Sequence, residues 1–275
     1  MRSIYSLRCA TRAFVAVAMT AFAAAPIQVQ AQDLDKIMAD KGCPDCDLRL
    51  GELRGLNIKG ANFDEAILRE ADMKEVVLPE GSFRDADLRR TELERARLHY
   101  ADFTESSMRA VDMEKAILTG AKFVRADLRD SDLNGTELTG ADFTKADLRN
   151  SSFIRSIAAN AIFKNAKIDR VDFERTDLTG ADFSGARLNY SDLDRIFARG
   201  ASFEGADLSG VRLSSADLSG ANLKGANLSD ALLRHTRLAG ADLTGAKGLD
   251  PARIIGACGD ENTKLPSGIT LEPCS

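Results

Sequence analysis

The amino-acid sequence predicts an all-β solenoid of about ten four-sided coils, with a short helical or looped cap at each end. Three observations lead to this fold class. An apolar residue recurs at every fifth position over most of the chain, phenylalanine recurs at every twentieth, and glycine recurs at one corner of the implied coil. Neither a helix nor an ordinary strand has a period of five, so the chain must wind into coils.

The first 31 residues have the features of a secretory signal peptide. Three arginines precede an apolar run over residues 13–25, and Ala31 closes a small-residue cleavage site. Cleavage there removes Cys9 and changes the formal net charge from −5 to −8. The alternative is an uncleaved signal anchor. We therefore expect an exported protein with no membrane span after cleavage.

Residues 32–45 are expected to form the N-terminal cap, because an open solenoid end exposes core and strand edges. Within the cap, residues 33–41 predict an amphipathic helix that has Asp33 as its N-cap. Its apolar face would carry Leu34, Ile37 and Met38.

Residues 46–245 contain 40 consecutive pentapeptides. The third residue of each is the apolar anchor, and 38 of the 40 anchors are Leu, Ile, Phe or Met. The first residue is small in nearly every repeat, and the second is Asp or Asn in 20 of them. Large anchors fill the axis, and small residues lie where coils approach closely. Of the anchors only Ala158 and Ala198 are small; Phe153 and Ile196 compensate for their volume.

A second period of twenty residues sets the number of sides. Phenylalanine anchors recur at this spacing eight times in a row. Of the 14 glycines at the fifth place, half end the pentapeptide that comes just before the phenylalanine side. Glycine at one corner indicates a turn with positive φ. Twenty residues per coil make a square section, and the rod is about 48 Å long at the usual strand spacing. The phenylalanines are Phe63, Phe83, Phe103, Phe123, Phe143, Phe163, Phe183 and Phe203.

The repeat, as in Ala141-Asp142-Phe143, resembles that of the pentapeptide repeat family over residues 46–245. This resemblance implies a right-handed quadrilateral β-helix with the Leu and Phe anchors stacked inside. It also implies a bacterial origin, so that an exported member would be periplasmic or secreted.

Residues 246–275 are expected to form a C-terminal cap and a tail closed by a disulfide. Asp250-Pro251 is a helix start, and Ile254 and Ile255 would cover the core. Cys258 and Cys274 bound the polar tail.

The four cysteines of the mature chain are disulfide candidates: Cys43, Cys46, Cys258 and Cys274. Cys43 and Cys46 also match the spacing of a redox motif, but Cys46 opens the first pentapeptide. A four-cysteine zinc site would have to join opposite ends of the rod. Both alternatives remain open beside structural disulfides.

The sequence contains no catalytic signature, so no catalytic, metal or cofactor site is predicted and the chain is not expected to be an enzyme. His99 and His235 fall at outward positions and are interpreted as surface residues. The repeated Asp and Asn residues can accept hydrogen bonds from corner amides, as they do in turns.

Four outward apolar residues recur every forty positions on one side: Val77, Ile117, Ile157 and Phe197. They are a candidate interaction stripe about 29 Å long. The alternative is a relic of a forty-residue duplication with isolated apolar residues.

The leading function is an exported, non-enzymatic binding or structural module that presents a rod surface to a protein partner or a second copy. The family resemblance implies an alternative, a DNA mimic that protects gyrase from quinolones. An enzyme would need a catalytic group in the tail. The interleaved acidic and basic residues argue against nucleic-acid binding, and nothing implies a small-molecule substrate.

Overall fold

The computed structural model describes residues 31–274, so the predicted signal peptide at residues 1–31 lies outside the described residues except for Ala31. Regular elements are few. Helix α1 spans Ala31–Asp40, and a 3-10 helix spans Pro251–Arg253. Strands β1 (Cys258–Gly259) and β2 (Glu272–Pro273) pair in parallel. Within residues 31–274, no helix is long and apolar enough to cross a membrane.

Between α1 and the 3-10 helix, the backbone forms single-residue parallel bridges rather than strands. Each second-place residue from Asp47 to Asn227 pairs with the residue twenty positions later, as Asp87 does with Ser107. These bridges form four ladders, one for each side of the coil. A side holds only five residues, and the fourth and fifth form the corner. One residue per side, the second, therefore forms a bridge to the neighbouring coil. The number of coils and their handedness stay predictions.

The corners have left-handed backbone on all four sides. All forty fifth-place residues from position 50 to position 245 have positive φ, as in Glu65 at 59° and Gly220 at 69°. The sequence predicted positive φ from glycine at one corner, and the structure extends it to the other three. A residue with a Cβ in this region costs about 1–2 kcal/mol. The hydrogen bonds of the corner offset that cost.

The hydrogen bonds of one pentapeptide explain its second-place Asp. In residues 101–105, four of the five amides donate to backbone carbonyl oxygens of the same or a neighbouring coil. The amide of the fourth residue, Thr104, instead donates to Oδ1 of Asp102 at 2.9 Å. Because buried backbone donors must be paired, the Asp or Asn side chain completes the corner.

The core is an axial stack of the anchors. The eight phenylalanines that recur every twenty residues are fully buried, and neighbouring rings are stacked with centroids 4.6–5.4 Å apart. Phe153 meets Phe143 and Phe163 edge-on, at 5.9 and 6.3 Å. Ala158 is fully buried in the coil that contains Phe153. Large and small anchors thus lie side by side in that coil.

The N-terminal helix covers the first coil mainly with Ile37, and the half-buried Leu34 packs against the same core. Ile37 is 3% exposed and joins the core. Two predictions for this segment are wrong. Asp33 is not the N-cap, because α1 already begins at Ala31. Met38 is 46% exposed and does not belong to the buried face, since a ten-residue helix touches the end of a narrow coil along a thin strip.

The C-terminal segment extends the ladders. Oδ1 of Asp250 accepts a 2.8 Å hydrogen bond from the amide of Ala252 and so caps the 3-10 helix. Ile254 is buried, but Ile255 is 56% exposed, so the prediction that both cover the core is wrong for Ile255. The two follow each other at a turn and point in different directions. Beyond them, Cys258 and Lys264 form the last bridges to the coil below.

Candidate interaction surfaces

The structure contains two disulfides, one at each end of the rod. Cys43 is bonded to Cys46, and Cys258 is bonded to Cys274. The second bond closes a tail in which β1 and β2 pair. Among the described residues, no group of three or more His, Cys, Asp or Glu side chains is arranged to hold a metal ion.

The four residues of the predicted stripe lie on one ladder, which we call the stripe side. They alternate along it with Arg97, Glu137 and Asp177, so the apolar side chains are not contiguous. Ile157 and Phe197 are 47% and 54% exposed, whereas Val77 and Ile117 are half-buried. The exposed apolar surface therefore lies in the half of the stripe nearer the C-terminus.

The corner next to the stripe side has little charge. Its fourth and fifth places are Thr119-Gly120, Thr139-Gly140, Ala159-Asn160 and Thr179-Gly180 on successive coils. Glycine has no side chain, so this corner is low and smooth along four coils. Tyr100 is exposed on the same corner, one coil before Gly120. The stripe side and its corner thus form the least charged long surface of the rod.

A second surface was missed by the sequence reasoning. Six arginines follow one another on successive coils at a single corner, which we call the arginine corner: Arg49, Arg69, Arg89, Arg109, Arg129 and Arg149. A signal was present, since these residues recur every twenty positions. Acidic and basic residues are interleaved along the sequence, but the structure gathers a row of guanidinium groups at one corner.

Acidic side chains orient most of these guanidinium groups. Nε and Nη2 of Arg129 donate to the two carboxylate oxygens of Asp127 at 2.7 and 2.6 Å, and Arg149 binds Asp147 in the same way. The hydrogen bonds from Arg129 hold the pKa of Asp127 below its usual value. The Asp carboxylate binds the Nε and Nη2 edge of each guanidinium group. Nη1 of Arg129 and Arg149, on the other edge, has no acceptor among the described residues.

Two cavities of about 450 and 500 Å³ lie along the arginine corner. Both are lined by Arg109 and Asp130, so they form one groove, which we call the arginine groove. It runs from Arg69 to Tyr190, six coil steps or about 29 Å at the strand spacing. Eight arginines and three acidic residues line it. The groove is therefore cationic in a chain whose formal net charge is −5.

The neighbouring ladder is the acidic side, centred on Glu92, Asp112 and Asp132. Lys74 forms ion pairs with Glu92 and Glu94 at 3.1 and 3.3 Å. Burial raises the pKa of the Asp112 carboxyl, and the negative charge of Glu94 adds to this shift. Half-buried His99 lies beside Tyr100 on the corner next to the stripe side, and exposed His235 closes the pentapeptide of Leu232 on the ladder of the acidic side.

Two protein-family models match the repeat region of this chain. A family model described as "Pentapeptide repeat region" matches residues 126–203. A second, described as "Pentapeptide repeats (8 copies)", matches residues 46–80, 82–120 and 212–247. A search of curated proteins found no significant match.

Solved structures of pentapeptide repeat proteins are similar to this chain. HetL from the cyanobacterium Nostoc, described as involved in heterocyst differentiation regulation, is 26% identical, with 83% of this chain and 94% of HetL covered and a TM-score of 0.46. QnrB1, a plasmid-mediated fluoroquinolone resistance protein, is 15% identical, with 80% and 91% covered and a TM-score of 0.36.

A pentapeptide repeat protein from the thylakoid lumen of Arabidopsis thaliana is 33% identical, with 46% of this chain and 74% of that protein covered and a TM-score of 0.17. The matched residues include the pentapeptides whose corners and stacked anchors are described above. The chain belongs to the pentapeptide repeat family.

Proposed function

We propose that this chain is an exported, non-enzymatic binding module whose rod surface recognises a protein partner or a second copy of itself. In this proposal residues 1–31 are a signal peptide and residues 32–45 and 246–275 are caps. Between them, residues 46–245 form a right-handed β-helix of about ten coils. The mature protein then works in the periplasm or outside a bacterial cell.

The stripe side is the observation that supports a protein partner. Ile157 and Phe197 are large apolar side chains, each about half exposed. Ile157 adjoins the uncharged part of the neighbouring corner, and Phe197 is followed by Arg199 at the same corner. Exposed apolar side chains on a flat surface are typical of contact sites with other proteins. The charged residues between them, such as Asp177, would give the contact its register along the rod.

Cysteine chemistry supports export. After cleavage, an even number of cysteines remains, and both pairs are bonded within the chain. Disulfides persist in oxidising compartments and are rare in the cytosol. This agrees with the cationic start and apolar run of residues 1–31.

The alternative, a DNA mimic that acts on gyrase, has less support. A mimic of the phosphate backbone needs carboxylates that are free to face the partner. On the acidic side, Glu92 is bound by Lys74, and Asp72 accepts a hydrogen bond from Arg54. A gyrase supercoiling assay with a quinolone would test the alternative directly.

Two matched variants test the stripe side. Ile157→Lys places a cation between Glu137 and Asp177 on the stripe ladder, and Ile162→Lys places one between Asp142 and Asp182 on a different ladder. Both changes face two acidic neighbours, so both are expected to fold.

The readout is the mass of the purified protein by sedimentation, together with the proteins it recovers from an envelope extract. We expect Ile157→Lys to abolish the self-association or the specific recovery, and Ile162→Lys to retain it. Equal behaviour of the two variants would contradict a role for the stripe side.

A further inference from the structure

We propose that the arginine groove binds a linear polysaccharide whose sugar units carry carboxylate groups. This activity goes beyond the proposed protein interaction and uses a different side of the rod. It rests on the charge, spacing, shape and hydrogen-bonding capacity of the groove.

The charge of the groove is the first argument. Eight arginines line it, and six carboxylates either line it or pair with those arginines, so the groove keeps a surplus of two positive charges in a chain whose formal charge is −5. Arg170, which lines the groove, has no ion pair among the described residues. A concave surface lined by one sign of charge concentrates ligands of the opposite sign.

The spacing of the arginines is the second argument. Successive guanidinium groups belong to successive coils, and the stacked core rings place neighbouring coils 4.6–5.4 Å apart. One sugar ring in an extended glycan has about the same length as this coil step. A polymer with one carboxylate per sugar would therefore stay in register with the row, and the units whose carboxylates face the groove would each meet an arginine.

The free edges of the forks supply the contacts. Asp127 and Asp147 hold Arg129 and Arg149 by Nε and Nη2, which leaves Nη1 of each for a ligand. Planar guanidinium groups match carboxylates better than a lysine ammonium does. The acids therefore fix the direction of the forks, and the ligand does not have to order them.

Unsatisfied polar atoms point to the same place. Among the described residues, the two buried side-chain atoms without a hydrogen-bond partner are Nε of Arg69 and Oδ1 of Asn189. Each residue lines one of the two cavities of the groove. Both atoms are buried beneath the surface, so they mark polar lining residues at the two ends of the groove.

One aromatic ring favours a sugar over a nucleic acid. Tyr190 is 69% exposed, lines the groove and lies across the corner at Gly210, where an added Cβ would be 2.6 Å from its Cδ1. A flat exposed ring is a platform for one sugar face. Single-stranded nucleic acids are held by several aromatic rings that stack successive bases, and this groove has one.

The test titrates the purified protein with polygalacturonate by calorimetry at low salt, with uncharged dextran and single-stranded DNA as comparison polymers. We expect polygalacturonate to bind, dextran not to bind, and the affinity to fall steadily with added salt. With galacturonate oligomers, the affinity should rise up to about seven units, which span the groove, and then level off.

A matched pair of double variants places the binding on the groove. Arg109→Gln with Arg149→Gln removes two lining charges, and Arg84→Gln with Arg125→Gln removes two from another corner. We expect the groove variant to lose about tenfold or more in affinity and the control about twofold or less.

Equal losses in the two variants, or no binding of polygalacturonate to the parent protein, would overturn the proposal. Binding of single-stranded DNA as tight as that of polygalacturonate would overturn the assignment to a glycan. The groove variant should still recover the protein partner that Ile157→Lys loses, so failure of one proposal is distinguishable from failure of the other.

Discussion

The backbone N–H of Thr144 donates a 2.9 Å hydrogen bond to Oδ1 of Asp142, two residues earlier in the same pentapeptide. The same contact recurs in other coils, for example between Thr104 and Asp102. The other amides of such a pentapeptide donate to backbone carbonyl oxygens. The Asp side chain therefore accepts from the one amide that has no backbone acceptor. The repeated Asp is therefore a structural part of the corner.

This relationship predicts the effect of two substitutions at Asp142. Asp142→Ala leaves the amide of Thr144 without its acceptor and should lower the free energy of unfolding by about 1 kcal/mol. Asp142→Asn keeps an oxygen in the same place and should cost less. Urea denaturation of the three proteins measures both values. If the Ala and Asn variants are equally stable, the corner hydrogen bond does not stabilise the coil.

A second prediction concerns Asp112 on the acidic side. Burial raises its pKa, so above the folded-state pKa the ionised carboxylate opposes folding. Asp112→Asn keeps the hydrogen bond from the amide of Glu114, 3.0 Å long, and removes the charge. The variant should be more stable than the parent at neutral pH.

The pH dependence of this gain follows from the sign of the shift. As the pH falls through the raised folded-state pKa of Asp112, the carboxyl takes up its proton and the penalty in the parent protein disappears. Thermal unfolding of both proteins between neutral and acidic pH checks this. Asp127→Asn is the control, because Arg129 lowers the pKa of Asp127 and its loss should destabilise at neutral pH. A gain for Asp112→Asn that persists at acidic pH would contradict the explanation.

The third prediction concerns the small anchor Ala158. It is fully buried in the coil that also holds Phe153. The enlargement Ala158→Leu should overpack this coil and lower the free energy of unfolding by about 1–3 kcal/mol. Adding Phe153→Leu removes volume next to it and should restore part of the loss. A double variant no more stable than Ala158→Leu alone would show that the two anchors do not compensate each other.

The fourth prediction compares the two disulfides. Cys258 and Cys274 are 16 residues apart, and Cys43 and Cys46 are three apart. Replacing the C-terminal pair by serine should lower the unfolding free energy by about 3 kcal/mol, because the longer loop gains more freedom in the unfolded chain. Replacing the N-terminal pair should cost less.

Denaturant curves with and without reductant measure both disulfide effects. Thiol labelling of the parent after signal cleavage gives the bonding state and should find no free thiol before reduction. A larger loss for the N-terminal pair would contradict the loop argument, and free thiols in the native protein would contradict the bonds themselves.

Much of this architecture could be predicted because the repeat is local. The second-place Asp, the buried third-place anchor and the left-handed fifth place each follow from chemistry within five residues, as in Ala141-Asp142-Phe143. The caps were predicted less well. Met38 and Ile255 are apolar but exposed, because the geometry of a short helix or turn against the end of a rod has no repeat to reveal it.

The sequence by itself determined which residues share a side of the rod. A period of twenty places Ile157 with Phe197, and Arg109 with Arg129 and Arg149, whatever the details of packing. The tertiary structure decided what these rows can do. The direction of each arginine fork depends on its acidic neighbour, and the groove depends on how side chains from successive coils leave space between them. The forks of Arg129 and Arg149 are local, since each binds an Asp two residues earlier. The groove joins residues about twenty positions apart, so it exists only once the coils are stacked.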